Sequence, residues 1–246
     1  SASLRLAQLR ASGKYQQLPE SSRHKFDRLL PPIIEVSASF ANPEQTLERM
    51  LRLIESICRR EAYLSLLVEH PQTLKRIATL YSASPWVSGY LTRHPILLDE
   101  LLDARLLYAA PHWDELGARL AQELDHAAGD SEQQMDILRH FQHTQIFRLV
   151  SQDLAGLLTL ETLSDHLSDL ADLILEQTLR CCWANLASRH RDVPAFAIVG
   201  YGKLGGKELG YASDLDIIFL YDDAHDSAGE NYAKLAKRIN TWLTTL

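Results

Sequence analysis

The chain has 246 residues, 46% of them hydrophobic and 23% charged, and 25 Lys and Arg stand against 32 Asp and Glu for a formal net charge of −7. Those are values of an ordinary globular protein with enough chain to bury a sizeable core, and the acidic balance argues against a general binder of nucleic acid or anionic membranes, which needs an excess of basic side chains. Three cysteines (Cys58 and the adjacent Cys181 and Cys182) are too few for a disulfide framework; no apolar run reaches the roughly 18 residues of a membrane span and no leader pattern opens the chain, so a soluble cytoplasmic protein is expected.

Helical spacing covers residues 3–10 and 22–30. Pro31-Pro32 is expected to stop the second of these helices, because the proline ring clashes with the preceding turn and offers no N–H. Asn42-Pro43-Glu44 reads as a helix start, with a capping side chain, a proline at the first helical position and an acid in the first turn. Leu47, Met50, Leu51, Ile54, Ile57 and Cys58 then recur at threes and fours, which predicts one buried stripe. Further helices are predicted over 61–69, 72–82, 85–93, 95–107 and 113–126, several of them separated by His70-Pro71, Ser84-Pro85 and His94-Pro95.

Asp130-Ser131 opens a longer helix, and Thr159 caps another in which Leu163, Leu167, Leu170, Leu173, Ile174 and Leu179 share a face. Cys181 and Cys182 lie in that last helix and read as core rather than as nucleophiles. Over residues 189–194 the composition changes from amphipathic helices to β-branched runs and glycines. A boundary is placed there, giving a helical region over 1–190 and a second part over 191–246.

The second part is organised around one stretch. An apolar run over 195–199 reads as a buried strand, and it enters a turn containing Gly200, Gly202, Gly205, Gly206 and Gly210. Glycine permits positive φ and lets backbone N–H groups approach a ligand without a Cβ in the way, which suits phosphate oxygens. A second strand is predicted to open with Asp214-Leu215-Asp216 and run to Tyr221, so the period of two puts both carboxylates on one face and Leu215 and Ile217 on the other. Two bare carboxylates side by side repel unless a cation lies between them, and Mg²⁺ takes hard oxygen ligands together with substrate phosphates. The stretch therefore reads as a metal–nucleoside triphosphate site. Asp214 and Asp216 are its metal ligands and catalytic residues, Gly202, Gly205 and Gly206 its backbone cradle, Lys203 either a phosphate contact or a surface ion pair, and Ser213 either a phosphate contact or a cap of the strand entry.

A competing reading exists, since Gly200-Tyr201-Gly202-Lys203-Leu204-Gly205 after a strand also satisfies the dinucleotide fingerprint, with Asp222 about 20 residues on as the ribose acid. That fold needs a substantial crossover helix, and too few residues, two glycines among them, precede the next strand. Beyond an acidic loop over 222–230, a last helix is predicted with Tyr232, Leu235, Ile239 and Leu243 facing inward.

The run Gly-Tyr-Gly-Lys-Leu-Gly-Gly-x-Glu-Leu-Gly-Tyr-x-Ser-Asp-Leu-Asp-x-Ile-Phe, over 200–219, resembles the signature of the glutamine synthetase adenylyltransferases, members of the nucleotidyltransferase superfamily. The segment from Ser84-Pro85-Trp86 to Leu101-Leu102-Asp103 is similar to a helical segment of that family. The resemblance implies a mainly α chain with a C-terminal α/β part, an incomplete nucleotidyltransferase fold with a mixed sheet. It also implies Mg²⁺-dependent transfer of AMP from ATP to a tyrosine hydroxyl of glutamine synthetase, with a nitrogen-signalling regulatory protein as a further partner. Phosphorolytic removal of AMP on the same fold is the first alternative; a non-catalytic helical docking module is the second. The family also carries a third aspartate on a later strand, for which this sequence has no matching pattern.

Overall fold

The structure, a computed structural model, describes residues 2–245. Packing divides the chain between Tyr108 and Ala109 into two compact units. The change of composition near residue 190 does not coincide with that division, and three long helices share the second unit with the strands.

The first unit is helical throughout: α1 (Ala2–Ala11), α2 (Gly13–Gln16), α3 (Glu20–Ala38), α4 (Pro43–Ile57), α5 (Glu61–Glu69), α6 (Pro71–Ala83), α7 (Pro85–Arg93), a 3₁₀ segment (Pro95–Leu101) and α8 (Ala104–Leu107). The predicted stripe of α4 is its core, where Met50, Leu51, Ile54 and Ile57 are fully buried against α3, α5, α6 and α7. Two expectations are corrected. α3 runs through Pro31 and Pro32 to Ala38 although an interior proline costs about 3 kcal/mol. Phe26, Leu29, Leu30 and Ile33 are all buried on both sides of the prolines, and at about 1.5–3 kcal/mol for each buried side chain the shared core outweighs the break. The single helix predicted over 95–107 is instead two short pieces, because the Asp103 carboxylate accepts the Arg105 amide and restarts the chain as α8.

Ser84, Asp130 and Thr159 cap their helices through their side chains as predicted. Asn42 holds the cap position without a side-chain cap bond; its amide donates to the Ser82 carbonyl and accepts from Thr46.

The second unit contains α9 (Trp113–His126), α10 (Ser131–Leu154), α11 (Leu160–Ala184), β1 (Phe196–Gly200), α12 (Gly202–Gly205), β2 (Ile217–Tyr221) and α13 (Ala228–Leu243). α9, α10 and α13 all pack on α11. Cys181 and Cys182 are buried in α11, and burial pushes the Cys182 thiol up to about 12, which keeps it protonated and unreactive.

In place of the expected mixed sheet, the described residues hold two strands paired antiparallel, with Phe196 opposite Tyr221 and Gly200 opposite Ile217. An antiparallel pair needs only a turn between its strands, whereas a parallel pair needs a crossover of a dozen or more residues, usually a helix. The connection here contains only the four-residue α12. The same pairing removes the dinucleotide reading, which depends on parallel strands. Among the described residues no helix is long and apolar enough to cross a membrane.

Candidate functional site

The inner face of the β-ribbon decides where the acids go. Ile198 and Ile217 pack, with Leu215, against a buried cluster of Leu149, Leu163, Leu167, Ala171 and Leu175 from α10 and α11. Strand side chains alternate between faces, so burying Leu215 and Ile217 turns Asp214 and Asp216 outward. Both are exposed, as are Ile218 and Leu220 further along the same face. The regular strand begins only at Ile217; the acids lie in the extended segment just before it, where the two-residue alternation already holds.

The turn is folded back onto β1 by its own apolar residues. Leu204 and Leu209 join the buried cluster, and the Tyr201 amide donates to the Asp216 carbonyl at 2.7 Å, continuing the ladder beyond Gly200 and Ile217. Gly202 has φ +53, and a Cβ there would collide with Asp216 Oδ2. Gly205 is needed for a different reason: a Cβ would lie 2.7 Å from the Gly200 carbonyl oxygen, so it serves the packing of α12 on β1. Gly206 has φ −85 and only ordinary contacts around the Cβ position.

α12 ends in a Schellman closure, with the Glu208 amide bonded to the Lys203 carbonyl and the Lys207 amide to that of Leu204. Lys207 therefore occupies the left-handed position usually held by glycine, at φ 53. Lys203 is exposed on the turn. Ser213 Oγ accepts the Gly210 amide at 2.9 Å while the Ser213 amide donates to the Gly210 carbonyl at 3.1 Å, which closes a tight turn just before the acids. Both bonds are local to the turn, and β2 begins only at Ile217.

Of the expected site residues, Gly202 lies directly against the Asp216 carboxylate, Lys203 is exposed on α12, and Asp214 is exposed two residues before Asp216. Two carboxylates exposed on one face, one of them in space that only a glycine at position 202 leaves open, are a donor set of hard oxygens suited to Mg²⁺. Among the described residues no group of three or more His, Cys, Asp or Glu side chains comes together to hold a metal.

Sequence reasoning missed two features. The first is the attachment of the turn to the helices: Ser164 donates to the Leu209 carbonyl at 3.3 Å, and the Tyr211 hydroxyl donates to Asp153 of α10. Nothing local in the sequence links Tyr211 to Asp153. The second is the far end of β2, where Asp223 is half-buried, with a side-chain exposure of 8%. Its Oδ2 receives His190 Nε2 at 2.8 Å, Tyr232 OH at 2.8 Å and Arg191 at 3.1 Å, and its Oδ1 receives the His225 amide at 3.0 Å. The hydrogen bond from His190, followed by those from the His225 amide, Tyr232 and Arg191, holds its carboxyl well below the usual carboxylate range.

A family model described as glutamate–ammonia ligase adenylyltransferase matches residues 74–246. A protein named bifunctional glutamine synthetase adenylyltransferase/adenylyl-removing enzyme from Chromobacterium violaceum is 60% identical over 98% of this chain and 27% of its own length. Proteins of the same name from Neisseria meningitidis (54%, over 98% of this chain and 27% of the relative) and Nitrosomonas europaea (54%, over 98% and 26%) are similar to it as well. The chain spans about a quarter of the length of these relatives.

Proposed function

The chain belongs to the glutamate–ammonia ligase adenylyltransferase family, and from that premise we propose that it carries the front part of a nucleotidyltransferase fold and two metal-binding carboxylates of an enzyme that moves AMP from ATP to a tyrosine hydroxyl of glutamine synthetase. The observation that carries the reading is the outward alternation of Asp214 and Asp216 beside Gly202, whose missing Cβ leaves room for the Asp216 carboxylate. The names of the relatives supply the substrate class.

Asp214 and Asp216 would hold Mg²⁺, with Lys203 available to the phosphates as an exposed point charge. When bound, Mg²⁺ screens the triphosphate charge and favours in-line displacement at the α-phosphorus. The tyrosine oxygen forms the new bond to that phosphorus, the hydroxyl loses its proton, and pyrophosphate leaves. The residues of this chain position and neutralise rather than react covalently. A cytoplasmic setting and a nitrogen-signalling protein partner belong to the same reading.

The relatives are also named for AMP removal, and removal can use the same carboxylates with orthophosphate as acceptor. Incubating the complete enzyme with adenylylated glutamine synthetase, phosphate and Mg²⁺ separates the two directions, since ADP is released only by removal. The test of the site is Asp214→Asn with Asp216→Asn in the complete enzyme. A fall of at least about a hundredfold in AMP transfer, the scale of losing several kcal/mol of charge stabilisation, is expected with target binding retained. Unchanged transfer overturns the reading: if removal is lost instead, the carboxylates serve removal, and if both directions persist, the chain has a docking role or the transfer site lies elsewhere.

A further inference from the structure

The acids stand on a short turn whose backing is incomplete. Behind it lies a cleft of about 80 Å³ lined by Gln142 and Ile146 of α10, Leu170 and Ile174 of α11, and Gly210 and Ser213 of the turn itself. A turn backed by open space can settle at more than one depth, because dispersion contacts are lost across a gap of even an ångström. The Ser164 bond to the Leu209 carbonyl ties down the start of the turn at 3.3 Å, and a second directional contact is needed to select the depth of the turn itself. The hydrogen bond from the Tyr211 hydroxyl to Asp153 Oδ2 does so, since Tyr211 is the second residue of the Gly210–Ser213 turn and its ring packs against the buried cluster of α10 and α11.

The position of Asp153 supports this independently of Tyr211. It is the penultimate residue of α10, where a carboxylate faces the negative end of the helix dipole. A half-buried acid at a helix C-terminus is unfavourable on its own account and needs a compensating donor; Tyr211 supplies it. Burial and the bond to Asp153 together raise the Tyr211 hydroxyl above its ordinary value, so it stays protonated as the donor.

We propose that Asp153 and Tyr211 are a positioning pair: they fix the Gly210–Ser213 turn at one depth on α10 and thereby set where Asp214 and Asp216 present their oxygens to the metal and nucleotide. The inference rests on the reading of the two aspartates as metal ligands and extends the site into the helices. Neither residue touches substrate; both act through the turn.

The test uses the complete enzyme. Tyr211→Phe removes only the hydroxyl, Asp153→Ala removes the acceptor, and Asp153→Asn keeps an acceptor oxygen. Tyr211→Phe and Asp153→Ala are each expected to lower kcat about tenfold, the scale of a sub-ångström misplacement, and to weaken Mn²⁺ binding several-fold in a calorimetric titration. The KM for glutamine synthetase stays within about twofold, the double variant is no worse than either single one, and Asp153→Asn recovers most of the loss. Unchanged kcat and Mn²⁺ affinity in both single variants overturns the proposal, as do effects that multiply in the double variant. Should Tyr211→Phe lower only the thermal midpoint, leaving Mn²⁺ affinity and kcat of the folded fraction intact, the pair is structural and the proposal falls. Failure of the underlying reading looks different: Asp214→Asn with Asp216→Asn then leaves both transfer and Mn²⁺ binding intact.

Discussion

The two ends of β2 carry acidic residues in opposite circumstances. At its start Asp214 and Asp216 are exposed on one face. At its far end Asp223 is half-buried and receives donors from His190, Arg191, Tyr232 and the His225 amide. A carboxylate that already accepts four hydrogen bonds from the protein has little capacity left for a ligand, and removing it leaves those donors without their partner. Exposed carboxylates without such donors do little for stability, and under the proposed reading these two take a cation. The comparison separates an acid that holds the fold from acids available for chemistry, a distinction that residue type alone does not make.

The largest expected effect tests the available end. Asp214→Asn with Asp216→Asn should cost at least about a hundredfold in transfer while the thermal midpoint of the complete enzyme stays the same or rises slightly as the repulsion is relieved. Gly202→Ala comes next. At φ +53 a side chain costs about 1–2 kcal/mol, and the Cβ displaces the Asp216 carboxylate, so a tenfold or greater loss of kcat is expected. A kcat within twofold of the parent would mean that the gap beside Asp216 is not used.

Asp223→Asn reverses the pattern. It should lower the thermal midpoint by several degrees, with transfer by the folded fraction preserved; a loss of kcat without a loss of stability would erase the contrast between the strand ends. Its pH dependence has a definite sign. The folded carboxyl lies below its unfolded value, so its stabilisation is fully present above the unfolded value of about 3.9 and is lost as pH falls from there toward the folded value. Thermal unfolding between about pH 6 and pH 3 should therefore fall more steeply for the parent than for Asp223→Asn. The smallest effect concerns Lys207, held left-handed at φ 53 at the end of α12. Lys207→Gly should stabilise the protein by about 1 kcal/mol, read from denaturant unfolding; no change would mean that another interaction of the lysine offsets the strain.

Much of this was legible in the residues. The stripe of α4, the side-chain caps at Ser84, Asp130 and Thr159, and the outward alternation of Asp214 and Asp216 all follow from spacing and local chemistry, and all are present. The passage of α3 through Pro31-Pro32 was not, because core packing contributed by other helices outweighs a local break. Neither was the strand pairing: an expectation of a mixed sheet gave way to an antiparallel ribbon.

What the sequence alone determined is the helical periodicity, the glycine turn and the placing of two acids two residues apart, since each depends on neighbours within a few positions. Only the tertiary structure decided which acids are buried and which are presented, and that the turn bearing them is held by Asp153, 58 residues away from Tyr211. Burial and long-range hydrogen bonds depend on what the fold brings alongside a residue, and no local pattern encodes that.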